Sequence, residues 1–172
     1  MDKRWISILI IIIIACGCGY LIVHYSDTVG NAIVDVNKST LTIPSDFSND
    51  YSDDTSVKLT HRGTFESIYV KDLGKLDKAN SSFIDDEKKL NSYNDIEVHS
   101  NNTTKMGDIV VYTVYYTNTT NPEALNMSNS YFYSFEHTYF VKMSGFDSLD
   151  RLNENLEKIV TAIKPDYKQS QD

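Results

Sequence analysis

The sequence predicts an α+β protein: an antiparallel β-sheet of about six strands with two helices packed on one face, preceded by one N-terminal transmembrane helix. Three observations predict it. An uncharged apolar run fills residues 5–23. Segments rich in β-branched and aromatic residues, the composition of strands, recur between about residues 40 and 146. A single apolar stripe then marks residues 147–163 as an amphipathic helix.

The run from Trp5 to Val23 holds 19 residues without charge. As a helix it is about 28 Å long, close to the roughly 30 Å hydrocarbon core of a bilayer. Lys3 and Arg4 precede it and the next basic residue is Lys38, so the positive-inside bias keeps the N-terminus cytoplasmic. Trp5 at one end, and Tyr20 and Tyr25 at the other, suit the interfacial aromatic belt. The expected organisation is a cytoplasmic tip at 1–4, an anchor at 5–23, a connector at 24–39, one domain at 40–166 and a polar tail at 167–172. Two rival readings stay open. Ile13-Ile14-Ala15-Cys16 resembles a lipobox, which would make Cys16 a lipidation site, and Ala15 and Gly17 suit a signal peptidase. All three readings place residues 24–172 outside the cell membrane.

Both cysteines, Cys16 and Cys18, lie inside the apolar run. The exported part therefore has no disulfide and no thiol chemistry, and it must hold together by its core. With Asp2, Lys3 and Arg4 set aside, it carries 14 Lys and Arg against 23 Asp and Glu, a net charge of −9. That balance argues against nucleic acid or anionic headgroups as partners. Asn-x-Ser/Thr sequons occur at Asn37, Asn80, Asn101, Asn102, Asn118 and Asn126, candidate glycosylation sites on an exported chain.

The elements follow in order. Residues 32–36 suggest a short strand in the connector. "TLTIPSDF" alternates Leu41 and Ile43 before Pro44 ends the strand. "SNDYSDD" reads as a loop. "SVKLTH" and "TFESIYVKDL" form a hairpin about Arg62-Gly63. "NSSFIDDEKKLNSY" carries a capping-box pattern, Ser82-x-x-Asp85, with Phe83, Ile84, Leu90 and Tyr93 at helical spacing. "DIEVHS", "DIVVYTVYYT" and "SNSYFYSFEHTYFVKMS" read as strands, the last two separated by a polar connection. Leu149, Leu152, Leu156, Ile159, Val160 and Ile163 form the closing helix, capped at Asp147 or Ser148 and stopped by Pro165.

This order resembles the PsbP-like domains, named for an extrinsic subunit of photosystem II. The points of likeness are the opening "TLTIPSDF", the strand–helix–strand middle, and "SLDRLNENLEKIVTAIKP" with its Ile159-Val160-Thr161-Ala162-Ile163 ending. The resemblance covers about residues 40–166. It implies a small exported or tethered module that binds or organises larger assemblies, mostly without chemistry of its own. No motif ties the chain to photosynthesis, and fold analogy does not transfer function.

No catalytic constellation stands out. There is no G-x-G-x-x-G, P-loop, G-x-S-x-G or H-E-x-x-H. His24, His61, His99 and His137 lie far apart in sequence, without metal-ligand spacing. The acid clusters Asp53-Asp54 and Asp85-Asp86-Glu87 read as solvated groups, the second complementing a helix dipole. No cofactor is expected.

The aromatic content of residues 109–146 is the feature that suggests a site. Tyr112 and Tyr116 share one strand parity and Tyr115 the other. Tyr131, Tyr133, Phe135 and Tyr139 oppose Phe132 and Phe140. With both helices on one face, one set would stand on an open sheet face, where Tyr112, Tyr115, Tyr116, Tyr131, Tyr133 and Tyr139 are the candidate binding residues. The expected function is a non-catalytic, membrane-anchored envelope module that binds a protein or glycan through that face. The alternative is a carrier of a small ligand or divalent cation that uses His and Asp groups. An enzyme is the third reading.

Overall fold

In the computed structural model of the chain, residues 33–36, 39–121 and 125–165 are described. The expected anchor at 5–23, Cys16, His24, Asn37 and the 167–172 tail lie outside them. Among the described residues, no helix is long and apolar enough to cross a membrane.

The strands are β1 (Ile33–Val36), β2 (Ser39–Thr42), β3 (Phe47–Ser52), β4 (Ser56–His61) and β5 (Ser67–Asp72). Helix α1 (Ala79–Leu90) follows, then β6 (Ile96–Met106), β7 (Ile109–Asn118), β8 (Asn126–Ser134), β9 (His137–Phe146), α2 (Leu149–Ala162) and β10 (Lys164–Pro165). Seven strands form one antiparallel sheet in the order β3-β4-β5-β9-β8-β7-β6, and β1-β2-β10 form a small second sheet. The α+β class and the antiparallel sheet expected from sequence hold, with three corrections to the sheet and helices.

First, the sheet has seven strands. "FSNDYS" is strand β3, paired with β4 through a register shift between Asn49 and Tyr51. Its polar residues carry no strand signal. Pairing is helped by Asp53, which shapes the β3–β4 turn: its Oδ1 accepts from the Thr55 and Ser56 amides, both at 2.8 Å. The Thr55 amide bond is the main reason that the Asp53 carboxyl sits well below the usual carboxylate range, with the Tyr51 hydroxyl second. The turn is therefore held while that carboxylate is ionised and loosens only in acid.

Second, the segment 128–144, read from sequence as one strand, is the hairpin β8–β9. Ser134 pairs with His137, and the two residues between them, Phe135 (φ 49°) and Glu136 (φ 64°), are both left-handed. That is the geometry of a type I′ turn, whose usual Asn-Gly signature is absent. The hairpin inverts the expected parity. Tyr139 lies opposite Phe132, and Phe140 opposite Tyr131.

Third, the helices lie on opposite faces of the sheet. The α2 residues Leu152, Leu156, Ile159 and Val160 join Val111, Tyr115, Phe132, Tyr139, Val141 and Met143 in one core, which the small sheet extends with Val36 and Leu41. The α1 residues Ala79, Phe83 and Leu90 pack with Val114, Tyr116 and Tyr131 in a second core. Val111 and Val114, or Tyr115 and Tyr116, point through the sheet in opposite directions. A strand apolar on both parities needs a cover on both sides, and this one has it.

The helix ends follow from local bonds. Helix α2 starts at Ser148, whose extended backbone (φ −136°, ψ 150°) and Oγ, accepting from the Arg151 amide, make an N-cap. Its stripe is buried except for Leu149, which is exposed. Each fully buried large side chain contributes roughly 1.5–3 kcal/mol before entropy is subtracted. Helix α1 starts three residues before the expected capping box. The Ser82 amide already donates to Lys78 O at 2.8 Å, an interior helical bond, and Lys78 has no side-chain cap. What fixes the start is β9: Thr138 Oγ1 accepts from the Lys78 amide at 3.0 Å.

Candidate functional site

Helix α1 covers only the β6–β8 half of its face of the sheet. Over β3, β4, β5 and β9 that face carries no helix among the described residues. Strand alternation sorts the side chains there. Val57, Leu59, Ile68, Val70, Val141 and Met143 point to the α2 side and are buried, so Lys58, Thr60, Ser67, Tyr69, Lys71, Phe140, Lys142 and Ser144 point the other way.

Register arranges these residues in rows. Tyr51, Lys58, Tyr69 and Lys142 lie side by side across the four strands. Ser56, Lys71 and Phe140 form the next row, and Ser48, Thr60, Ser67 and Ser144 the row on the other side. Local bonds steady them. The Ser67 and Ser144 hydroxyls lie 2.8 Å apart, and Tyr51 Oη donates to Asp53 Oδ2 at 2.8 Å. Lys58 Nζ pairs with Asp50 Oδ2 at 2.8 Å.

An aromatic run links this open half to the covered half. Tyr69 meets Phe140 edge-on, with ring centroids 6.3 Å apart. Phe140 lies 5.0 Å from Tyr131, and beyond Tyr131 the Tyr112 ring lies 5.8 Å from Phe83 of α1. At one end of the open half is a cavity of about 480 Å³ lined by Phe65, Asn118, Leu125, Met127 and Ser144. Phe65 is 81% exposed. Ser144 belongs to both the hydroxyl row and the cavity.

Of the tyrosines expected on an open face, one is exposed. Tyr133 stands beside the β8–β9 turn at 38% exposure, whereas Tyr115, Tyr116, Tyr131 and Tyr139 are buried and Tyr112 is half-buried under α1. The reason is the second helix. Tyr115 faces α2, where its hydroxyl donates to Asn153 Oδ1 at 2.6 Å. Tyr116 donates to Asn129 Oδ1 at 3.0 Å, and Asn129 Nδ2 donates to Asp86 Oδ2 at 2.6 Å. Burial first, and the Asp86 charge second, push the Tyr116 and Tyr131 hydroxyls far up, so both stay neutral. Burial also raises Tyr115 and Tyr139, and Tyr139 Oη bonds Ser39 Oγ.

The acid pair Asp86-Glu87, expected to be solvated, instead meets the sheet, since Glu87 accepts from Asn101. Asp54 and Asp85 are exposed. The described histidines sit in separate pairs: His61 with Asp46 at 3.5 Å, His99 with Thr117 at 3.0 Å and His137 with Asp72 at 2.6 Å. Among the described residues, no three metal-ligating groups converge. Of the sequons, Asn80, Asn101 and Asn102 are exposed. Asn118 Oδ1 accepts from Thr120, and the Asn126 amide donates to Phe146 O at 3.1 Å.

Sequence reasoning missed Lys58, Tyr69, Lys71, Phe140 and Lys142. The signal was present: in "SVKLT", "SIYVK" and "TYFVKM" every second residue is apolar and buried, and each complementary parity contains a lysine.

No family model and no curated protein matches the sequence. Solved structures do match the fold. A cyanobacterial PsbP (CyanoP) from Synechocystis superposes with a TM-score of 0.54 at 13% identity, over 79% of this chain and 92% of that one. The domain has the PsbP/Mog1 fold. Mog1p, a Ran-binding protein of Saccharomyces cerevisiae, superposes with a TM-score of 0.51 at 14% identity, over 79% of this chain and 95% of Mog1p. At these identities the likeness concerns the PsbP/Mog1 fold alone. The resemblance read from "TLTIPSDF" and the closing helix is therefore correct at that level.

Proposed function

We propose that the chain is a non-catalytic module that binds another protein through the open half of its sheet, held at the outer side of a membrane by its apolar 5–23 segment. The observation that carries this reading is the exposed face on β3, β4, β5 and β9. There aromatic bodies, hydroxyls and lysine heads lie together, a mixture suited to recognition. The cavity beside Phe65 offers a pocket for one anchoring side chain of the partner. Mog1p, which shares the fold, is a Ran-binding protein, and that lends support to a protein partner over a glycan. The binding surface so proposed replaces the buried tyrosines with Tyr51, Tyr69, Lys58, Lys71, Lys142 and Phe65.

The test is a photo-crosslinking amino acid placed at position 69 of the full-length chain in the cells that make it. A discrete higher-mass adduct is expected from position 69 and none from position 93, where Tyr93 is 45% exposed away from this face. The absence of an adduct at 69, or equal adducts at both positions, would overturn the reading.

A further inference from the structure

We infer that the partner presents an extended acidic segment to this face, with carboxylates over the lysines and apolar or aromatic side chains over Tyr69 and Phe140. The inference rests on the docking face proposed above and adds the chemistry of what docks there. The chain carries a net charge of −8, yet three lysines converge on one open surface. Lys58 and Lys142 flank Tyr69 across neighbouring strands. With strands about 4.8 Å apart and a rise of about 3.4 Å per residue, their backbones stand about 10 Å apart, and Lys71 stands about 8 Å from each.

The titratable groups that face this cluster are few. Asp50 is the ion-pair partner of Lys58, and Asp86 of α1, bonded to Asn129, stands on the far side of the cross-strand neighbour of Lys142. The Asp53 carboxylate is turned into its own loop and toward Tyr51. Among the described residues, Lys71 and Lys142 form no salt bridge. Two of the three ammonium groups are thus without a direct ion pair, on a protein of net negative charge.

An extended peptide places alternate side chains on one side about 7 Å apart, a spacing commensurate with the lysine triangle. Those side chains of the same row that do not fall over a lysine meet the Tyr69 and Phe140 rings. Nucleic acid fits less well. It gains affinity by neutralising many phosphates at once, whereas this face offers three lysines set in an acidic body.

The experiment uses the full-length chain in non-ionic detergent and a fluorescent twelve-residue peptide in which Glu and Tyr take turns at every second position with Ser between, so that both face one side, read by anisotropy. Saturable binding that weakens with added salt is expected. Lys71→Glu with Lys142→Glu should weaken it about tenfold or more. Asp50→Asn, which frees Lys58, should tighten it, and Lys105→Glu with Lys164→Glu should leave it unchanged. No saturable binding, an equal loss in the Lys105/Lys164 pair, or tighter binding of a single-stranded oligothymidylate would overturn the inference. If the adduct at position 69 persists in the Lys71/Lys142 variant, the docking face stands and the acidic chemistry falls. If no adduct forms at all, the face itself falls.

Discussion

Replacing Gly145 by alanine is expected to destabilise the domain by about 3 kcal/mol or more, which unfolds a protein of ordinary marginal stability under mild denaturant. Two penalties add. Gly145 sits in β9 at φ +84°, a conformation that costs an L side chain about 1–2 kcal/mol. The added Cβ would also come to 2.2 Å from Phe65 O and 2.7 Å from Phe65 C. These are backbone atoms of the β4–β5 loop and cannot swing aside, and overpacking of this kind costs typically 1–3 kcal/mol more. Gly107 separates the two causes. It too has a positive φ, but a Cβ there meets only Thr161 Cγ2 at 4.0 Å. Urea titrations of both variants should place Gly107→Ala well above Gly145→Ala in midpoint. Equal midpoints would mean that the Phe65 contact is not what forbids a side chain at 145.

Asp72→Ala is expected to cost about 3 kcal/mol or more, because it leaves the buried His137 ring nitrogen and the Gly74 amide without their partner, and each such loss costs about 1–3 kcal/mol. The Asp72 side chain is 1% exposed, and its Oδ2 lies 2.6 Å from His137 Nδ1. Its Oδ1 accepts from the Gly74 amide at 2.7 Å. The pair joins the end of β5 to the start of β9, and Thr138, next to His137, holds the start of α1. Asp72→Asn keeps an acceptor for Gly74 and should lose less. A denaturation cycle with His137→Ala should reveal coupling on the order of 1–3 kcal/mol. Additive losses would show that the two side chains are stabilised independently.

The parts of the fold legible in the sequence are those where one periodicity dominates. Leu152, Leu156, Ile159 and Val160 fixed α2, and the alternation of Val57, Leu59, Ile68 and Val70 fixed the β4–β5 hairpin. Strand β3 was hidden because Ser48, Asn49, Asp50 and Ser52 have loop chemistry. That strand depends on β4 and on a turn held by Asp53. The β8–β9 hairpin was hidden because Phe135 and Glu136 adopt left-handed backbone that only the tertiary pairing imposes.

The tyrosines were expected on an open face for a related reason. Aromatics of both parities in "VVYTVYY" were read as one buried row and one open row, but the sheet has a helix on each side. Two apolar parities on β7 meant two covers, and the open surface lay at the other end of the sheet, on β4, β5 and β9, where lysine alternates with apolar residues. The half-cover by α1 could not be read locally, since it depends on where a twelve-residue helix lands on seven strands.

Hydroxyl-radical footprinting of the folded chain, read residue by residue by mass spectrometry, tests that placement most directly. Tyr51, Tyr69 and Phe65 should be modified early, while Tyr116, Tyr131 and Tyr139 stay protected until the domain unfolds. Modification of Tyr116 and Tyr131 as fast as Tyr51 would contradict it, because α1 would then not be lying over their side of the sheet.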